Sequence, residues 1–108
     1  MRKLGVLMLV AENDPDTKPR IAAFEQGLRE LGWHKGRNIG IEYRWAAGRP
    51  ELVRQYAQEL VALAPDIILA NGTPVVAELK PLTRSIPIVF ASVFDPVGLG
   101  LVDSLSRP

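Results

Sequence analysis

The sequence predicts an α/β fold in which a doubly wound parallel sheet is covered by helices on both faces, giving three layers. Residues 67–70 and 86–91 are short apolar runs that carry no charge. Runs that are apolar on both faces are typical of the central strands of a parallel sheet. Each run leads through small polar residues to Thr73 or Asp95, and a proline follows at once. This pattern predicts helices capped by Thr73 and Asp95, with proline as the first helical residue.

The other elements follow from hydrophobic periodicity. Residues 4–10 are apolar, and a first strand is predicted over about 3–10. A helix over about 18–32 is predicted because apolar residues recur there at helical spacing. Residues 38–45 alternate between apolar and polar, which predicts a strand with one wetter side at the edge of the sheet. The remaining predicted elements are a helix from Pro50 to before Pro65, a strand over 66–70, a helix over 74–83, a strand over 87–91 and a last helix from near Pro96 towards Pro108.

The alternation of strands and helices along the chain restricts the topology of the sheet. Right-handed crossovers between parallel strands predict the strand order 2-1-3-4, with the reversal of direction between strands one and three. Ligands of open α/β sheets bind at such a reversal, outside the carboxyl ends of the strands. The candidate site is therefore lined by the loops over 11–17, 71–74 and 92–97.

Composition limits the class of protein. The 108 residues, with 47% apolar and 23% charged, are predicted to form one α/β domain over 1–108. The net charge of +1 comes from dispersed residues, so a nucleic-acid partner is not expected. Arg2 and Lys3 before an apolar run imitate a secretory signal, but the run reaches Glu12 without a small-residue cleavage site, and we interpret it as the first strand. No run approaches the ~20 apolar residues of a membrane span, so direct membrane insertion is not expected either.

Catalysis finds little support in the residues. The chain has no cysteine, a single histidine at His34 and no Gly-x-Ser-x-Gly motif, so no nucleophile with its base can be assembled. Asn71 stands where a receiver-type Mg²⁺ site needs an acid after the third strand, so no metal is expected. We therefore predict a protein that is not an enzyme and uses no cofactor.

Several segments occur in a characteristic order and spacing. They are 24–33 (FEQGLRELGW), 36–39 (GRNI) with 42–46 (EYRWA), 71–74 (NGTP), 86–90 (IPIVF) and 95–98 (DPVG). Together they resemble the ABC-transporter substrate-binding proteins of the tryptophan/tyrosine-binding type, over nearly the whole chain. Proteins of that family close two α/β lobes on a ligand. The resemblance implies that this chain corresponds to the beginning of the first lobe, a flavodoxin-like half of a type I periplasmic-binding-protein lobe.

The resemblance implies a small solute, an amino acid or a related compound, as the ligand. Gly72 and Thr73 match the family's Gly-Thr-Pro turn, whose amides suit a carboxylate. Ser92 and Asp95 match the loop after strand four, where they could hold a polar or ammonium group. The loop after strand one departs from the family's hydroxyl-rich pattern because it is acidic, which could favour a cationic ligand. The implied ligand-binding residues are Glu12, Asn13, Asn71, Gly72, Thr73, Ser92 and Asp95.

The family also implies an ABC-transporter permease as partner and a periplasmic or other extracytoplasmic location. Two alternatives remain open. One is a small flavodoxin-like enzyme or signalling domain that uses Glu12, Asp14 and Asp95 as an acid cluster. The other is a chain that only self-associates. Because residues 86–91 are predicted to form an apolar edge strand without an outer neighbour, a homodimer is predicted.

Overall fold

Four parallel strands form one sheet in the order β2-β1-β3-β4, as the crossover argument predicts. The structure is a computed structural model, and it describes residues 2–90. Every neighbouring pair of strands is parallel. The strands are β1 (Arg2–Met8), β2 (Ile39–Trp45), β3 (Ile67–Asn71) and β4 (Ile88–Phe90). The predicted helix from Pro96, its Asp95 cap and the end of the fourth strand at residue 91 lie outside the described residues.

Helices pack on both faces of this sheet, so the three-layer prediction is confirmed. Helix α1 (Lys18–Glu30) packs on one face, and α2 (Pro50–Ala62) and α3 (Thr73–Leu79) pack on the other. A single 3₁₀ turn at Lys80–Leu82 follows α3. Within residues 2–90, no helix has the length and apolar character required to cross a bilayer.

The core consists of two apolar layers separated by the sheet. Leu4, Val6 and Met8 of β1 pack with Phe24 and Leu28 of α1. Leu7 and Ile68 point the other way and pack with apolar residues of α2 and α3, Val53, Ala57, Leu60, Val75 and Leu79. All of these side chains are at most 1% exposed. Each fully buried large side chain stabilises the fold by about 1.5–3 kcal/mol relative to its exposed form.

Helix α1 ends two residues before the predicted position because Gly32 closes it. Gly32 adopts φ +96°, its N–H donates to the Arg29 carbonyl at 3.0 Å, and the Trp33 N–H donates to the Leu28 carbonyl at 2.8 Å. These two hydrogen bonds define a Schellman motif. Leu28 and Trp33 then pack together in the α1 layer. The motif turns the chain from the helix towards β2.

The predicted cap of α3 is wrong. Thr73 is the first residue of the helix, and Gly72 holds the N-cap position without any side-chain hydrogen bond. Gly72 adopts φ +109° and ψ +138°, which is accessible to glycine but strained for other residues. The backbone therefore starts this helix, and the Thr73 hydroxyl is not used for capping.

Strand β2 is the predicted wetter edge strand, and its side chains are anchored separately on the two faces. On the α1 side, the rings of Tyr43 and Trp45 stack with centroids 5.8 Å apart. The Tyr43 hydroxyl donates to Glu25 Oε2 at 2.5 Å. On the other side, Arg44 reaches Glu59 of α2 at 3.0 Å. Two cross-layer polar contacts thus add to the packing that holds this half-buried edge strand.

Alkaline pH should weaken the Tyr43 contact. Burial, followed by the hydrogen bond to Glu25 and the charge of Glu25, raises the pKa of Tyr43 above its ordinary value. The stabilisation is complete below the unfolded pKa of about 10 and is lost as the pH rises above it, by up to about 1 kcal/mol per pH unit. Denaturant unfolding at alkaline pH should show this loss in the wild type and less of it in Tyr43→Phe. Tyr56→Phe is the matched control, and equal pH dependence of all three proteins would contradict the prediction.

Gly72 should be hard to replace. An added Cβ would lie 3.1 Å from Leu9 Cβ and Cδ2, in addition to the backbone strain. We expect Gly72→Ala to lower the free energy of unfolding by about 2 kcal/mol. Gly48→Ala is the control, because Gly48 has φ +71° but nothing within 4 Å of the added carbon, and it should cost about 1 kcal/mol. Equal losses in the two variants would show that the Leu9 contact is unimportant.

Candidate functional site

The end of β1 is the meeting point of three chain segments. Met8, the last residue of β1, pairs with Trp45 of β2 on one side and with Asn71 of β3 on the other. The direction of winding reverses between β1 and β3, so this is the position at which open α/β sheets bind ligands. The predicted site loops over 11–17 and 71–74 thus follow strands that end at adjacent positions of the sheet.

The chain leaving β1 is held by the turn that follows β2. The Ala46 N–H donates to the Met8 carbonyl at 2.9 Å, and the Gly48 N–H donates to the Leu9 carbonyl at 2.6 Å. The Ala47 N–H reaches the Val10 carbonyl at 3.2 Å. This support was not predicted from the sequence, although the small residues of the turn at 46–48 were its signal. Positive φ angles at Ala47 (+54°) and Gly48 (+71°) shape the turn.

On its other side, the chain leaving β1 contacts the loop after β3. The side chain of Leu9 lies against Gly72, where only a missing Cβ leaves room for it. Leu9 is half-buried and packs with the apolar layer under α2 and α3. The relative position of the two candidate loops is therefore fixed by packing at their bases.

The acidic loop after β1 folds around Asp14. The Asp14 carboxylate accepts the Asp16 N–H at 2.8 Å, and the Asp14 carbonyl accepts the Thr17 N–H at 3.2 Å. Glu12 and Asn13 are exposed, and neither side chain bonds to another residue of the described chain. Over residues 2–90 no three His, Cys, Asp or Glu side chains are grouped so that they could hold a metal ion. Asp14 thus has a structural partner, whereas Glu12 and Asn13 are available as acceptors.

The loop after β3 offers hydrogen-bond donors. The Gly72 carbonyl accepts the N–H groups of Val75 and Val76 at 3.1 and 3.3 Å. Within residues 2–90 nothing accepts a hydrogen bond from the N–H groups of Gly72 and Thr73 or from the Thr73 hydroxyl. Thr73 is exposed, and Asn71 and Gly72 are half-buried. Two amides and a hydroxyl are therefore available at one place, which suits an anionic oxygen.

Five of the seven predicted site residues lie at or after the carboxyl ends of two adjacent strands, β1 and β3. Asn71, Gly72 and Thr73 form one loop, and Glu12 and Asn13 lie on the neighbouring loop at the same edge of the sheet. Ser92 and Asp95 lie outside the described residues. Trp45 also ends at this edge, since it pairs with Met8, but its ring stacks on Tyr43 in the α1 layer. We interpret Trp45 as a packing residue.

Comparison with known proteins shows which family shares this architecture. Residues 3–108 match the family model described as ABC transporter substrate binding protein. The chain is 31% identical over 107 residues to a tyrosine-binding protein of Clostridioides difficile (strain R20291), covering 99% of this chain and 30% of that protein.

Solved structures agree with the family match. A substrate-binding protein with adhesive properties from Clostridium difficile, solved ligand-free and open, has a TM-score of 0.75 and 30% identity, covering 100% of this chain and 36% of that one. A Streptococcus pneumonia domain in complex with L-Trp has a TM-score of 0.73 and 28% identity, covering 94% of this chain and 34% of that one. The chain spans about a third of the length of these relatives. From the family match over residues 3–108 and the shared fold, we conclude that the chain belongs to the ABC transporter substrate binding protein family.

Proposed function

We propose that the carboxyl edge of the sheet binds a small solute that carries a carboxylate, an amino acid or a related compound, without chemical conversion. The observation that carries the proposal is the pair of amides at Gly72 and Thr73, which have no acceptor among residues 2–90, beside the Thr73 hydroxyl. Membership of a substrate-binding family supports it. Two relatives, a tyrosine-binding protein and a domain in complex with L-Trp, support an amino acid as the class of solute.

Each group of such a solute has a matching residue. A carboxylate would accept from the Gly72 and Thr73 amides, and hydrogen bonds to charged groups contribute about 1.5–3 kcal/mol each. An ammonium group would donate to Glu12 or Asn13 on the neighbouring loop, and Asn71 at the end of β3 is a further candidate contact. Ser92 and Asp95 are the further candidates for this polar contact. Because Glu12 carries a charge, we expect a ligand with an ammonium group to bind better than one without it.

The transport role follows from the family. We propose that the solute is passed to an ABC-transporter permease and that the protein acts in an extracytoplasmic compartment. Both statements rest on the family match, and pull-down with a permease encoded nearby would test them. The absence of a copurifying permease under crosslinking would contradict the partner.

Affinity should be low in the 108-residue chain by itself. Its described loops form one wall of a crevice, so much of a bound solute stays in water. Association costs at least several kcal/mol, and a half-enclosed ligand recovers little of it, so we expect a dissociation constant of roughly millimolar. Isothermal calorimetry with L-tryptophan measures it, and micromolar affinity in a monomer would contradict the one-walled site.

Analogues of L-tryptophan test which groups are recognised. Tryptamine lacks the carboxylate, and indole-3-propionate lacks the ammonium group. We expect tryptamine to lose nearly all binding and indole-3-propionate to bind several-fold more weakly than L-tryptophan. Equal binding of tryptamine and L-tryptophan would overturn the role of the Gly72 and Thr73 amides.

Thr73 variants separate binding from stability. Since the hydroxyl caps nothing in the described chain, Thr73→Ala should change the free energy of unfolding by less than about 0.5 kcal/mol. The same variant should weaken L-tryptophan binding, whereas Thr73→Ser, the matched control, should retain it. Loss of stability with unchanged binding would assign Thr73 a structural role instead.

We also propose a homodimer that forms through β4 or its flanking helices. Within residues 2–90, β4 pairs only with β3, so its outer edge has no described neighbour. Unpaired strand edges favour association, and a stable interface would bury more than about 1,000 Å² in total. Light scattering over a hundredfold range of concentration should show the dimer, and a persistent monomer would contradict it.

A further inference from the structure

A second concave site lies at the opposite edge of the sheet, where β1 and β2 begin. It is a groove of about 410 Å³ on the face that carries α2. Small-molecule sites commonly have volumes of about 300–1,000 Å³ and apolar linings. The groove shares no lining residue with the loops at the carboxyl edge, so it is separate from the proposed solute site.

Two glycines make the floor of this groove. Lys3 and Gly5 of β1 point towards the α2 face, because Leu4 and Val6 point to α1. The register pairs Lys3 with Gly40 and Gly5 with Glu42. The glycines thus lie diagonally on two adjacent strands, and neither has a side chain to fill the space. Leu60, Ile68 and Pro65 occupy the space over Gly5, at 3.4–3.6 Å from an added Cβ, so the accessible part of the floor lies at Gly40, which is half-buried.

The end of α2 makes the apolar wall. Leu60, Leu63 and Pro65 line the groove. Leu60 is fully buried, and a Cβ on Gly5 would lie 3.4 Å from Leu60 Cδ2, so this is the closed inner end. Leu63 is 44% exposed, one of two large apolar side chains of the described chain with such exposure. The groove therefore presents apolar surface that the described residues do not cover.

Charged side chains lie at the rim of the groove, and they differ in whether they have an ion-pair partner. Lys35 pairs with Glu25 at 3.5 Å, and Glu42 pairs with Arg44 at 3.1 Å. The Lys3 ammonium has no partner among residues 2–90.

The backbone of Lys3 is nevertheless fixed. Its N–H donates to Asp66 Oδ2 at 2.7 Å, and its carbonyl accepts the Asp66 N–H at 2.8 Å. A cation without a described partner beside an apolar groove is complementary to an anion with an apolar tail.

We propose that this groove binds a small monocarboxylate with an aliphatic tail, the tail lying over Gly40 against Leu63 and the carboxylate at Lys3. This second ligand class is independent of the solute site at the carboxyl edge. The proposed ligand carries one negative charge and a tail of several methylene groups. Ligands with longer tails should bind more tightly, because each buried methylene contributes to affinity.

Titrations with octanoate, butyrate and octylammonium, followed by ¹⁵N–¹H correlation spectra of the full 108-residue chain, test the proposal. Octanoate should shift the Gly5, Gly40 and Leu63 amide signals and leave Gly72 and Thr73 unchanged. Butyrate and octylammonium should bind at least about tenfold more weakly, for lack of tail and of negative charge respectively. Equal binding of octanoate and octylammonium, shifts centred elsewhere, or no shifts with octanoate would each overturn the proposal.

Variants assign the binding to this groove. Leu63→Asn replaces the exposed wall with a polar side chain of similar shape and should weaken octanoate binding several-fold. Leu82→Asn is the matched control, because Leu82 is 38% exposed and lies outside the groove. Lys3→Met keeps the aliphatic stem and should abolish the preference for octanoate over octylammonium. Equal octanoate affinity in both leucine variants, or an unchanged preference in Lys3→Met, would contradict the assignment.

Discussion

The pairing of β1 on both of its edges is the constraint on which the rest of the structure depends. Its register with β2 and with β3 is continuous up to Met8. Leu4, Val6, Leu7 and Met8 are almost completely buried on the two faces. A shift of one residue would exchange the faces and expose these side chains. The position of β1 therefore determines where every neighbouring loop leaves the sheet.

The candidate solute site follows from this constraint. After Met8 the chain is supported by the turn at 46–48 on one side and by Gly72 on the other. The amides of Gly72 and Thr73 have no acceptor within residues 2–90, because Gly72 starts α3 without a side-chain cap. Two charged hydrogen bonds of about 1.5–3 kcal/mol each offset only part of most of the range of association cost, about 4–15 kcal/mol. One wall can select a carboxylate, but tight binding needs a second wall.

Much of this architecture could be predicted from the sequence. The strand order followed from the alternation of elements and the handedness of crossovers, and the edge position of β2 followed from its charged residues. The helix ends were less predictable because they depend on single backbone angles, such as φ +96° at Gly32. The N-cap of α3 was assigned to Thr73 because the residue type suits it, yet the positive φ of Gly72 takes that position. The groove at the amino edge was not predictable, since Gly5 and Gly40 become neighbours only through the register of β1 with β2.

A crystal structure of the chain grown with L-tryptophan tests the central claim most directly. The account predicts the ligand at the carboxyl ends of β1 and β3, with a carboxylate oxygen about 3 Å from the amide nitrogen of Gly72 or Thr73. Its ammonium group should face Glu12 or Asn13. L-tryptophan bound at the groove beside Gly5, or bound at the carboxyl edge without contact to these amides, would contradict it.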